Sequence, residues 1–252
     1  MTPMPVLIAA FGGLLLGSFL NVVALRLPRG LSFVTGSSHC MTCEAPVKPY
    51  DNIPVLSYLL LRGRCRSCGT GIAGRYPVVE ALTAGLLAVT VAVHHDDTTQ
   101  LVLGLVLVAF LVPMALIDLE HKIIPNKLTA PAAVIALALG TALDPGGEPK
   151  RLIAAAAAGG FFLFFALVSR GGMGMGDVKL AAVLGLFLGA PVAPALLIAL
   201  VAGVLVSVGV VLRVGLAGGR KTAIPFGPFL AFGGFVAMLV GSSLVHAYVG
   251  TF

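Results

Sequence analysis

The stretch L-V-L-G-L-V-L-V-A-F-L-V-P-M-A-L-I-D-L-E-H-K, residues 101–122, decides what kind of protein this is. From 101 to 117 it carries no charged side chain. A helix rising about 1.5 Å per residue over that length crosses most of the roughly 30 Å hydrocarbon core of a bilayer. The run then ends on a carboxylate, Asp118. An acid at the edge of a spanning run is costly and is a functional residue by default. At a helix C-terminus it also opposes the macrodipole, so capping does not account for it.

Working outward, seven further apolar runs appear, at 6–25, 77–93, 126–143, 152–168, 178–190, 192–212 and 226–249. The run at 178–190 reaches only about 20 Å at the helical rise, so it is expected to begin inside the membrane or to be shielded by its neighbours. The chain of 252 residues is 58% hydrophobic and 10% charged, with a mean hydropathy of +1.06. That is more apolar surface than a water-soluble domain of this length can hide. The expectation is an all-α polytopic membrane protein of about eight transmembrane helices. Trp is absent, which leaves Tyr, Lys, Arg and Phe as interface anchors.

A net charge of +6 would point to an anionic partner in a soluble protein, but here the basic residues sort by topology. If eight helices alternate, every Lys and Arg except Lys150 and Arg151 falls on one side. The positive-inside rule makes that side the cytoplasm, with both termini outside it. The short run must count as a crossing, since otherwise Arg213, Arg220 and Lys221 would lie outside. No nucleic-acid partner is expected. The first run has no basic residue before it and no small-residue cleavage site, and reads as a retained helix. No fixed-period repeat is evident. The chain divides into a first helix (1–25), a soluble-looking cytoplasmic loop (26–76) and a membrane core (77–252).

All four cysteines lie in that loop, as Cys40-Met41-Thr42-Cys43 and Cys65-Arg66-Ser67-Cys68. Each C-x-x-C turn aims two thiolates at one point, which is what tetrahedral Zn²⁺ requires. Disulfides would need an oxidising compartment, and charge places the loop in the cytosol. Free thiols remain the alternative to zinc. About fifty residues cannot build an adequate core, so a structural clip is the expected role of the metal. His39 is adjacent and reads as an incidental polar residue. Residues 53–61 are apolar, too short to span, and followed by Arg62, Arg64 and Arg66. They are expected to lie at the headgroup boundary with the arginines on anionic lipid.

A second acid, Asp177, stands in G-G-M-G-M-G-D-V-K-L and precedes an apolar run. It reads either as a helix N-cap or as the partner of Asp118. Attack of water on a peptide bond needs one carboxylate to take a proton and a second to supply one. Two adjacent carboxyl groups meet that need because their titrations are coupled. The preceding glycines would leave room for a substrate backbone. By helix dipoles alone, Asp118 is expected to be the protonated member and Asp177 the ionised one. Glu120 and His121 read as solvated loop residues, and Pro125 and Asn126 as a helix start. Gly13-x-x-x-Gly17 and Gly185-x-x-x-Gly189 read as close helix packing, while His94 to Asp97 have no assigned role.

Five further strings carry a resemblance: G-S-F-L-N-V-V-A-L-R-L-P at 17–28, D-N-I-P-V-L-S-Y at 51–58, G-R-Y-P-V-V-E at 74–80, I-P-N after Asp118, and P-F-G-P-F-L-A-F-G at 225–233. Together with G-M-G-D they resemble, over nearly the whole chain, the type IV prepilin peptidases, which are bifunctional leader peptidases and N-methyltransferases of bacterial pilus and type II secretion systems. The resemblance implies an intramembrane aspartic protease of the GxGD kind, with Asp118 and Asp177 as its dyad. It implies removal of the short basic leader from prepilins or pseudopilins, after a glycine at the cytoplasmic face. It further implies methylation of the new N-terminus with S-adenosylmethionine as donor. No nucleotide-binding fingerprint locates that donor, and Glu44, Asp51, Arg75 and Glu80 are its loop candidates. The family often has Asp where this chain has Asn126. The rival readings are a secondary transporter with a glycine-interrupted helix and a zinc-organised transferase without protease activity.

Overall fold

The computed structural model describes residues 2–34, 38–169, 173–219 and 224–249. Arg170, Gly171, Gly172, Arg220 and Lys221 lie outside the described residues. The described chain runs α1 (Met4–Arg26), a short α2 (Leu56–Leu60), α3 (Arg75–His94), α4 (Thr98–His121), α5 (Asn126–Leu143), α6 (Glu148–Val168), α7 (Met175–Leu188), α8 (Val192–Gly219) and α9 (Gly227–Val249). Seven helices are long and apolar enough to cross a membrane, and α7 falls short of that length. The chain separates into two compact units, Met1–His95 and Asp96–Phe252.

In the first unit α1 and α3 meet through small residues. A Cβ built on Gly13 would lie 2.5 Å from the Ala84 Cα, and one on Gly17 would lie 2.8 Å from the Glu80 Cα. The expected glycine seam is therefore a true backbone approach. Asn21, 1% exposed, donates from Nδ2 to the carbonyls of Gly17 and Tyr76 and ties α1 to the start of α3. In the loop between them, 3₁₀ turns at Leu27–Arg29 and Pro49–Asn52 accompany α2. Ile53, Leu56, Leu59 and Leu60 are exposed, as a segment meant for the headgroup boundary should be. Arg66, one of the three arginines expected on anionic lipid, is instead bound by Asp51 at 2.6 Å.

The second unit packs α4 to α9 around α7. Although α7 has 14 residues, nine of them are buried, covered by α4, α5, α6, α8 and α9. Shielding by neighbours is thus what lets an element of about 21 Å sit in an apolar bundle. Gly185 admits α6 closely, since a Cβ there would come within 2.5 Å of the Ala155 Cα. Gly189 serves a different purpose from packing: it ends the helix at φ +65°, a left-handed value that glycine adopts freely. Asp97 caps α4 by accepting from the Gln100 N–H at 2.9 Å, which gives part of the unassigned His94 to Asp97 segment a structural role.

Topological counting treats Arg151 as a free charge, whereas the structure buries it at 6% exposure. Its Nη2 meets Asp144 Oδ2 at 2.7 Å and its Nη1 meets Glu148 Oε2 at 3.3 Å. Nη1 also donates to the Asp144 carbonyl at 3.2 Å, so one guanidinium closes the α5–α6 connection. Arg151→Met should destabilise the protein towards the lower end of the roughly 3–5 kcal/mol typical of a broken buried pair, because Asp144 keeps access to water. Denaturation of the detergent-solubilised variant measures it.

Candidate active site and metal centre

Asp118 occupies the last turn of α4 and is 5% exposed. Its Oδ2 accepts a hydrogen bond from the N–H of Gly227 at 2.8 Å. Gly227 opens α9, so the carboxylate at the C-terminus of one helix is met by the N-terminus of another. A second helix end thereby offsets the unfavourable dipole of the first. Assigning the dyad's proton by each residue's own helix leaves out this contact.

Asp177 lies in the first turn of α7, and the N-cap position belongs to Gly174. The carboxylate turns back towards that cap: a Cβ on Gly174 would stand 3.3 Å from Asp177 Oδ2. The rest of the turn is docked on the α4–α5 connection. Gly176 faces Ile124, whose Cβ would lie 3.0 Å from an added Cβ, and Lys179 Nζ donates to Asn126 Oδ1 at 2.8 Å. Gly176 therefore makes room for Ile124 rather than for a substrate. α4, which carries Asp118, and α7, which carries Asp177, touch within the second unit. Glu120 and His121 are exposed and face each other at 3.9 Å. Because α7 is continuous from Met175 to Leu188, the interrupted helix on which a transporter reading rests is absent from the described residues. Asn126→Asp would turn the bond to Lys179 into an exposed ion pair, and is expected to add about 0.2–1 kcal/mol, read from the denaturation midpoint.

The four cysteines converge, with their sulfurs within 4.8 Å of one another. Cys40 Sγ and Cys68 Sγ are 3.8 Å apart, close to the spacing of about 3.8 Å that a tetrahedron with Zn–S bonds of about 2.3 Å requires. The two turns are the same structure twice. Cys40 N–H donates to Ala45 O and Glu44 N–H to Cys40 O, just as Cys65 N–H donates to Thr70 O and Gly69 N–H to Cys65 O. The flanking bridges His39–Pro46 and Arg64–Gly71 repeat the relation. His39 is thus part of the backbone frame. The Thr70 hydroxyl and N–H hold the Cys68 thiol down to about 6, and the N–H groups of Cys43 and Thr42 lower Cys40. Against the Ala45 N–H, which lowers it, the surrounding thiols of Cys68, Cys40 and Cys65 push Cys43 up to about 11. Crowded thiols of this kind share charge poorly among themselves and well with a divalent cation, so the donor set fits zinc.

Seven helices long and apolar enough to span a bilayer, with a loop between two of them that gathers four thiols, define among the described residues a multi-pass membrane protein with a candidate metal centre. Residues 11–95 match the bacterial peptidase A24 N-terminal domain and residues 105–208 match the type IV leader peptidase family. The chain belongs to the type IV leader peptidase family. It is 36% identical to a prepilin leader peptidase/N-methyltransferase of Pseudomonas aeruginosa, over 94% of this chain and 91% of the relative. A protein of the same name from Neisseria gonorrhoeae is 36% identical over 98% and 94%, and one from Myxococcus xanthus 42% identical over 82% and 64%. No solved structure matches the chain.

Proposed function

We propose that this protein removes the leader from type IV prepilins or pseudopilins at the cytoplasmic face of the bacterial inner membrane and methylates the exposed N-terminus. What supports the cleavage step is that Asp118, in the last turn of α4, and Asp177, in the first turn of α7, belong to one compact unit in which α4 and α7 touch. One carboxylate takes a proton from water as its oxygen adds to the scissile carbonyl carbon. The other donates a proton to the carbonyl oxygen, and the departing amine is protonated as the C–N bond breaks. The peptidase core lies within 77–252 and the methyl-transfer region within 26–76. Eight crossings, α7 included, keep the basic connections and both aspartates on the cytoplasmic side with the termini opposite.

Cys40, Cys43, Cys65 and Cys68 hold Zn²⁺ as a structural cross-link. S-adenosyl-L-methionine, when bound, supplies an electrophilic methyl carbon whose bond to sulfur breaks as the bond to the amine nitrogen forms, the surplus amine proton passing to water. Prepilin capture follows from partition: the substrate's apolar helix enters the bilayer while its basic leader stays at the anionic surface, where the two aspartates wait.

Incubating the purified chain with a prepilin and the methyl donor, then weighing the product, tests both halves. Loss of the leader and gain of one methyl are expected; an intact prepilin sinks the reading. Gly227→Ala tests the dyad's support. An added Cβ would lie 2.7 Å from Asp118 Oδ2, so the carboxylate must shift, and a displacement on the order of 1 Å can lower a rate by about 10²-fold. Cleavage by the folded variant should fall by that order.

A further inference from the structure

Within the unit Met1–His95, α1, α3 and the four-cysteine loop enclose a cavity of about 530 Å³. Small-molecule sites span roughly 300–1,000 Å³. Both aspartates belong to the other unit, and neither lines this cavity. Ser18, Val22 and Leu25, one face of α1 by their spacing, form one wall, and loop residues with Glu80 of α3 complete it.

The lining carries both signs of charge. Asp51 receives Arg66 through Nε at 2.9 Å and Nη2 at 2.6 Å, so guanidinium and carboxylate hold each other in place. Lys48 and Arg66 each stand 5.6 Å from the centre of the Tyr50 ring. Glu80 is 7% exposed, and its Oε2 accepts from the Val55 N–H at 2.7 Å. Val55 is itself strained, at φ 60° and ψ −49°, with the Leu56 N–H donating to the Pro54 carbonyl across it. A β-branched residue in such a γ-turn is an outlier costing about 1–3 kcal/mol, and strain of this kind gathers at ligand sites. The carboxylate of Glu80, itself part of the lining, holds this turn, while Val55 stands behind the lining residues.

We propose that this cavity is the methyl-donor site, taking S-adenosyl-L-methionine, with Glu80 as a positioning residue that fixes the γ-turn and faces the donor's positive end. This rests on the methyl-transfer half of the proposed function. The donor joins a sulfonium and an ammonium to a carboxylate, a ribose and a flat aromatic base. Asp51 and Glu80, in a lining that also carries Arg26, Arg29, Lys48 and Arg66, offer both signs of charge to that mixture.

The test uses the full chain in detergent and radiolabelled S-adenosyl-L-methionine without prepilin. Wild-type protein is expected to bind the donor in equilibrium dialysis, and Ser18→Phe, which fills the cavity, to bind at least about 10-fold more weakly while melting normally. Glu80→Gln should weaken the cationic donor more than the neutral thioether S-adenosyl-L-homocysteine, whereas simple structural damage weakens both alike. Ultraviolet crosslinking of the donor to wild-type protein needs no variant to fold, and should label peptides from 38–80. Label confined to 96–252, or a folded Ser18→Phe variant binding like wild type, overturns the assignment. If the wild type methylates processed prepilin yet is labelled elsewhere, only the cavity is wrong. If it removes leaders but neither binds the donor nor methylates, the methyl-transfer half fails and the cavity assignment with it.

Discussion

Replacing either Asp118 or Asp177 by Asn should lower leader cleavage by about 10²–10⁴-fold, the range that proton transfer by a positioned group contributes, with the fold retained. The amide keeps the shape of the carboxyl but can neither take nor release a proton at catalytic pH. An amide at position 118 could still meet the Gly227 N–H through its carbonyl oxygen, and one at position 177 could still turn back on Gly174, so loss of activity would not be loss of architecture. Because the two groups work as a unit, the double substitution should cost little more than either single one. Wild-type cleavage should follow a bell-shaped pH profile, reporting two macroscopic ionisations of the pair rather than one of each residue. Rates of prepilin processing for the four proteins across pH decide it. Near-wild-type cleavage by a folded Asp177→Asn variant would remove the dyad from the mechanism.

Why Asp118 is easy to find in the sequence and Gly227 is not is a matter of range. An acid ending an uncharged run has no bland local explanation, so Asp118 declares itself. Its donor lies 109 positions away, and only the packing of α9 on α4 brings them together. The F-G-P string offers a local hint of a helix start, with Pro in the first turn, but no hint of what that start faces. Asp177 is intermediate: the glycines before it allow an N-cap, and only the backbone reveals that Gly174 takes that position. The repeat in the cysteine loop is hidden because it resides in dihedral angles. H-C-M-T-C-E-A-P and R-C-R-S-C-G-T-G share only their cysteines, yet Glu44 at φ 56° and Gly69 at φ 72° make the same left-handed step. Arg151 escapes topological counting because burial depends on partners, and its i−3 partner Glu148 is the part that sequence spacing could have supplied.

Removing the metal should separate the two activities. Among the described residues, the segment 27–74 has no helix longer than the five residues of α2, and each cysteine turn is closed by a single isolated bridge of its own, far too little to order some fifty residues against their conformational entropy. Structural zinc in small fingers supplies about 10–16 kcal/mol at neutral pH, which is the scale needed. Cys65→Ser, or a strong chelator, should therefore release the loop. Limited proteolysis would then cut between the cysteine pairs, zinc content would fall, and methyl transfer would be lost, because Arg66 lies within one cysteine turn and Asp51 is held by it. The glycine seam of α1 and α3 involves none of the cysteines and should persist. Leader cleavage should fall far less than methylation, since both aspartates are positioned by α4, α7 and α9 in the other unit. A zinc-free chain whose loop resists protease and still methylates would show that the four thiols clip nothing, whereas equal loss of both activities would show that cleavage depends on the loop after all.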